Sequence, residues 1–173
     1  ARRAARQLIG CAQEYVLETD DGVRLQGFLS AQTAVPQARA LIVLLHGWEG
    51  RVDSNYVLYT GARLLARGFD VFRLHFRDHG DTHALNRGLF HSCRIDEVVD
   101  AIAVLARRVP HRRLCVAGYS LGGNFALRVA LKAPAAGLTV THAAAVCPVI
   151  SPRAGMLAIE SAPWFYEKYF LLK

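Results

Sequence analysis

The stretch "CVAGYSLGGNFAL", residues 115–127, decides how the rest of the chain is read. Its first half is an apolar run that closes on Gly118, as a buried strand would. Its second half carries apolar residues at helical spacing after Gly122 and Gly123. The halves meet at Ser120, inside Gly118-Tyr119-Ser120-Leu121-Gly122, a match to G-x-S-x-G. A serine on a sharp strand-to-helix turn between small residues is the context of a nucleophile elbow. Small neighbours let backbone segments pass closely. The helix N-terminus aims free N–H groups and partial positive charge at the place where an oxyanion would develop. The alternative is a glycine-rich turn that holds an inert serine. Dinucleotide and phosphate-loop readings are excluded, because neither G-x-G-x-x-G nor G-x-x-x-x-G-K-[ST] occurs.

Working outward, "ALIVLLHG" (40–47) is a continuous apolar run, as expected of a strand buried on both faces of a parallel sheet. "NYVLYTGARLLARGF" has helical spacing and closes with Gly68, a C-cap signal. "DVFRLHF" (70–76) is the next strand. "RIDEVVDAIAVLARRV" (94–109) is an amphipathic helix with acids early, arginines late and Pro110 after it. Near the start, "EYVLETDDGVRLQGFLSA" (14–31) reads as two strands about Asp21-Gly22, and "QTAVPQAR" as a loop. Downstream, "HAAAVCPVI" (142–150) is a further strand. An antiparallel start followed by alternating strands and helices predicts an α/β fold. Its sheet is open and mostly parallel, with helices on both faces. No repeat, low-complexity tract or linker interrupts the chain, and 173 residues predict a single domain.

Composition narrows the class of function. At 53% hydrophobic and 20% charged, the chain can bury a sizeable core. No apolar run approaches the roughly 18–20 residues of a membrane span. The N-terminal "ARRAARQLIGCAQEY" is basic but lacks the apolar stretch and small-residue cleavage site of a secretory signal. The net charge is +7. Its arginines are spread along the chain rather than clustered and interleaved with aromatics, which argues against a nucleic-acid partner. Cys11, Cys93, Cys115 and Cys147 form no C-x-x-C pair, which argues against a zinc ribbon or redox motif. Cys115 and Cys147 sit in apolar strand-like runs and read as small core residues. This usage fits a reducing, cytoplasmic setting.

A second constellation, "LLHGWEG" (44–50), ends the first buried strand. Sites in open α/β sheets form at the carboxyl ends of strands. Both this loop and Ser120 lie at such ends, which predicts that they meet. The backbone N–H groups of Trp48 and Leu121 are the expected oxyanion hole, supported by His46, Gly47, Gly118 and Gly122. His46 itself is read as a structural histidine that bonds loop backbone. In "HFRDHGDTH" (75–83), His75, Asp78, His79, Asp81 and His83 are metal-ligand types at close spacing. The preferred reading is a polar loop making turn hydrogen bonds, with no metal. Cys93 beside His91 lacks an elbow and is not read as a Cys–His pair.

These pieces resemble the N-terminal part of an α/β-hydrolase, and more narrowly the YheT-like branch of that superfamily. The matching segments are "DDGVRLQGFL", "VLLHGWEG", "LLARGFDVFRLHFRDHG", "LFHSCRIDEVVDAI" and "VAGYSLGGNFAL", in the family's order and roughly its spacing. His91-Ser92 before an acidic helix start points to the branch, as does "ESAPWFYEKYFLLK". The resemblance implies an α/β-hydrolase-type domain over 1–173, with 1–150 as core sheet and helices and 151–173 opening a cap-like helical segment. It implies that the family's remaining strands lie beyond this sequence. One departure is Asp78, where Arg-Gly is the more usual pairing.

In this fold the triad order is Ser, acid, His. After Ser120 the only acids are Glu160 and Glu167, and the only histidine is His142, at the wrong end of its strand. The triad acid and histidine are therefore expected beyond residue 173. The expected activity is a carboxylesterase or thioesterase that acts by acyl transfer with Ser120 as nucleophile and no cofactor. Its substrate is a small ester or thioester. Trp164, Phe165, Tyr166, Tyr169 and Phe170 either line an acyl-chain pocket or are ordinary core. The competing reading is a non-enzymatic binding protein or inactive fragment on the same fold. Residues 1–173 alone are expected to be nearly inactive and prone to self-association through an exposed apolar edge.

Overall fold

A computed structural model describes residues 2, 3, 5–35, 37–165 and 168. Six strands form one sheet: β1 (Ala12–Glu18), β2 (Arg24–Ser30), β3 (Leu41–Leu45), β4 (Asp70–Leu74), β5 (Leu114–Tyr119) and β6 (Val140–Val146). Their order across the sheet is β1-β2-β4-β3-β5-β6. The pairs β1–β2 and β2–β4 are antiparallel, whereas β4, β3, β5 and β6 run parallel. This is the mixed sheet predicted from the alternation of elements.

The helices are α1 (Arg6–Gly10), α2 (Asn55–Leu65), α3 (Ile95–Arg108), α4 (Leu121–Lys132) and α5 (Pro152–Glu160). They cover the sheet from two sides. The alternation of side chains along a strand sorts β3 between two cores. Leu41, Val43 and Leu45 join a large core that includes Val98 and Ile102 of α3 and Phe125 and Val129 of α4. Ile42 and Leu44 join a smaller one with Leu8 of α1 and Val57, Leu58 and Leu65 of α2. Every residue of β3 is buried, which is why its sequence is apolar without a break.

Three details differ from expectation. The basic N-terminal stretch contains α1, a single short helix pinned by Leu8, which is fully buried. The last strand spans Val140–Val146 rather than 142–150, because pairing with β5 begins opposite Leu114 and the chain turns left-handed at Cys147, with φ 47°. Cys147 is accordingly exposed just past the strand, not a core residue, while Cys115 is half-buried in β5. All four cysteines are free.

Two loops leave the carboxyl ends of β3 and β4 beside Ser120's end of β5. The β4 loop is anchored by a buried ion pair. Arg77 donates from Nε and Nη2 to Glu97 Oε2 of α3 at 2.9 and 2.8 Å, and from Nη1 to the Arg87 carbonyl at 2.7 Å. Both side chains are only 6% exposed. Asp78 follows with φ 60°, so an aspartate holds the left-handed conformation at the position where glycine is more usual. Aspartate tolerates that region better than most residues.

Candidate active site

The turn between β5 and α4 is built by close backbone crossings. A methyl on Gly122 would lie 2.2 Å from the His46 carbonyl oxygen and 2.5 Å from that of Leu45. One on Gly118 would lie 2.1 Å from the Gly122 carbonyl oxygen. Only glycine fits at either position, and the end of β3 is thereby held against the start of α4. Ser120, between them, is exposed with φ 52° and ψ −116°. Its N–H donates to the Val146 carbonyl at 2.9 Å, and its carbonyl accepts from Asn124 N–H at 3.1 Å. Asn124 Nδ2 donates to the Val149 carbonyl at 2.8 Å. The segment after β6 thus braces the turn.

The "HGWEG" loop lies alongside. The point where Gly47 would carry a methyl is 3.6 Å from Ser120 Cβ and 3.4 Å from the Tyr119 carbonyl oxygen. Leu121 opens α4, where no preceding turn supplies an acceptor for its N–H. Trp48 is 60% exposed.

His46 is fully buried and bonded at both ring nitrogens. Nδ1 lies 2.7 Å from the Gly47 carbonyl oxygen, and Nε2 accepts from Phe76 N–H at 3.3 Å. The Phe76 donor assigns the proton to Nδ1. Burial lowers its pKa to about 3, with His79 and His75 adding to the shift against the Gly47 bond. A neutral imidazole with both nitrogens occupied has no lone pair left to deprotonate Ser120. It holds the Gly47 carbonyl, which also accepts from Gly50 N–H at 3.0 Å. A trans peptide is planar, so fixing that carbonyl fixes the Trp48 N–H on the opposite side of the same plane.

The 75–83 stretch does not gather around one point, and no metal-holding group of His, Cys, Asp and Glu occurs among the described residues. His75 and His79 turn inward against His46, with ring centroids 5.8 and 4.8 Å away. Burial, foremost, lowers the His75 pKa to about 4. Asp78 pairs with His83, and Asp81 with Arg51 at 3.2 Å. His91 and Cys93 are exposed in the turn before α3. His142 pairs in register with Cys115, whereas Ser120 follows Tyr119, the partner of Val146. Ser120 lies five residue steps beyond Cys115, about 16 Å at ~3.3 Å per residue. No described imidazole hydrogen-bonds the Ser120 hydroxyl. Glu160 ends α5 in an exposed position, while Glu167, Tyr166, Tyr169 and Phe170 lie outside the described residues. Trp164 and Phe165 are 72% and 61% exposed.

Two contributors had escaped the sequence reading. Asn124 is visible only as a polar residue in the first turn of an apolar helix. Tyr56, in the first turn of α2, accepts from Gly47 N–H at 2.9 Å.

Comparison with known proteins agrees with the fold. The sequence model of a family described as "alpha/beta hydrolase fold" matches residues 40–171. The chain is 30% identical over 109 residues to a protein of Escherichia coli (strain K12) named "Putative esterase YheT", covering 62% of this chain and 32% of that protein. Among solved structures, the Pyrococcus furiosus esterase Pf2001 superposes with a TM-score of 0.66 at 21% identity, covering 91% of this chain and 59% of that one. The α/β hydrolase GrgF from Penicillium sp. sh18 gives 0.67 at 18% identity, with 86% and 51% covered. The chain therefore spans about a third of the curated relative and little more than half of these two structures.

Proposed function

The chain belongs to the alpha/beta hydrolase fold family, and from that premise we propose that the protein is a serine hydrolase that cleaves esters or thioesters by acyl transfer through Ser120. The observation that carries the proposal is the conformation of Ser120. It is an exposed hydroxyl at positive φ, on a turn whose flanking glycines admit no side chain, at the N-terminus of α4. The esterase names of the relatives support the choice of substrate bond.

In the proposed mechanism Ser120 Oγ attacks the acyl carbonyl carbon. A histidine from outside residues 1–173 accepts the hydroxyl proton, oriented by an acid from the same region. The N–H groups of Trp48 and Leu121 stabilise the oxyanion, aided by the partial positive charge of the α4 N-terminus. Collapse of the tetrahedral intermediate expels the alcohol or thiol, which takes the proton from the histidine, and water then hydrolyses the acyl-enzyme. This chemistry needs no cofactor. His46 supports the site by bonding loop backbone, and Gly47, Gly118 and Gly122 by permitting close approach. The exposed apolar residues Val146, Ile150, Met156 and Leu157 near β6 and α5 support self-association of residues 1–173 when isolated.

The test is hydrolysis of a short-chain p-nitrophenyl ester by the intact protein as its gene encodes it. Ser120→Ala is expected to lower kcat by at least about 10³-fold. Equal turnover by both proteins would reject the assignment.

A further inference from the structure

We infer that Tyr56 is a positioning residue of the proposed oxyanion hole: through its hydroxyl it holds Gly47, and through Gly47 it aims the Trp48 N–H. The inference rests on the hydrolase reading above and deepens it.

Gly47 is held from both sides. Its carbonyl is bonded by His46 Nδ1 and by Gly50 N–H, at 2.7 and 3.0 Å. Its own N–H, on the preceding peptide, donates to Tyr56 Oη at 2.9 Å. These contacts fix the two peptide planes that meet at Gly47. The second of these planes carries the Trp48 N–H, and the first, held by Tyr56, is joined to it only through the two torsions at Gly47. Tyr56 also takes the Gly47 N–H out of competition for an anion.

The loop is shaped to receive this hydroxyl. A methyl on Gly50 would lie 2.5 Å from Tyr56 Oη, so the oxygen lodges in a space that only glycine leaves open. The same hydroxyl lies 3.5 Å from the point where Gly47 would carry a methyl, and Ser120 Cβ lies 3.6 Å from that point. The tyrosine is tied to the serine turn as well. Its ring packs against that of Tyr119, the residue before Ser120, with centroids 4.8 Å apart. The Tyr119 hydroxyl is in turn hydrogen-bonded to Thr60 of α2. One side chain from α2 therefore touches both halves of the site and sets their spacing.

The experiment measures kcat and KM of the intact protein for an ester, with thermal midpoints for every variant. Tyr56→Phe removes only the hydroxyl. It is expected to lower kcat about 10- to 100-fold, up to the loss that misplacement by ~1 Å causes and below that of a removed oxyanion donor, with KM within about twofold. Tyr59→Phe, an exposed tyrosine of the same helix, is expected to match wild type. Wild-type kcat in Tyr56→Phe, or a loss confined to KM, would each overturn the inference while leaving the hydrolase reading intact. Wild-type turnover that survives Ser120→Ala would overturn both.

Discussion

Ser120 sits at φ 52° and ψ −116°, a region that costs a non-glycine residue on the order of 1–3 kcal/mol. Its surroundings hold it there: the Val146 carbonyl on one side, Asn124 on the other, and the crossing at Gly118 and Gly122 beneath. The histidines below the neighbouring loop carry a second constraint. His46 and His75 are buried neutral, with pKa values lowered to about 3 and about 4. His79, Arg51, Asp53 and Asp81 also face this group, and burial outweighs their combined effect. In the unfolded chain both histidines would take up protons near pH 6.5, the ordinary value. Below that pH the unfolded state binds more protons than the folded one. Stability is therefore complete above about pH 6.5 and falls as pH drops toward 4, by up to about 1.4 kcal/mol per pH unit for each histidine. Urea unfolding between pH 7.5 and 4.5 measures this. His46→Gln is expected to flatten the slope, and an unchanged slope in that variant would contradict the assignment.

At the scale of elements, the Arg77–Glu97 pair joins the loop after β4 to the first turn of α3. Both partners are buried, and Arg77 also holds the Arg87 carbonyl, so the loop is closed at two points. Arg77→Ala would leave the buried Glu97 carboxylate without its hydrogen-bonded partner, with only the Arg94 guanidinium 3.9 Å away. It is expected to cost about 3–5 kcal/mol in denaturant unfolding, whereas Arg77→Met with Glu97→Leu should recover most of that loss. A cost under about 1 kcal/mol for the single change would mean that water replaces the guanidinium. The same scale shows what the sequence could convey. β3 and α3 were legible because burial on two faces leaves an unbroken apolar run, and burial on one face leaves a helical stripe. α1 was not, because five residues held by one leucine give no periodicity. The end of β6 was not, because a left-handed residue at Cys147, rather than the Pro148 breaker, stops the pairing. The serine turn was legible through its glycines. Tyr56 was not, because its partner is a backbone amide, and any residue there offers the same amide.

Across the whole molecule, the parallel strands deliver Ser120, the "HGWEG" loop and the β4 loop to one end of the sheet, and two cores hold that end rigid. β6 lies at one edge of the sheet, and α5 beyond it buries none of its residues. No described helix is long and apolar enough to cross a membrane. The proposed base is the part of the machinery that the described residues do not supply, so reactivity of the serine is the property that matters most. The most direct measurement is peptide mass spectrometry of the intact protein after treatment with a fluorophosphonate, with Ser120→Ala alongside. The account predicts a single phosphonyl adduct, on Ser120, lost in the variant. An unmodified Ser120, or an adduct on another residue that persists in Ser120→Ala, would contradict it.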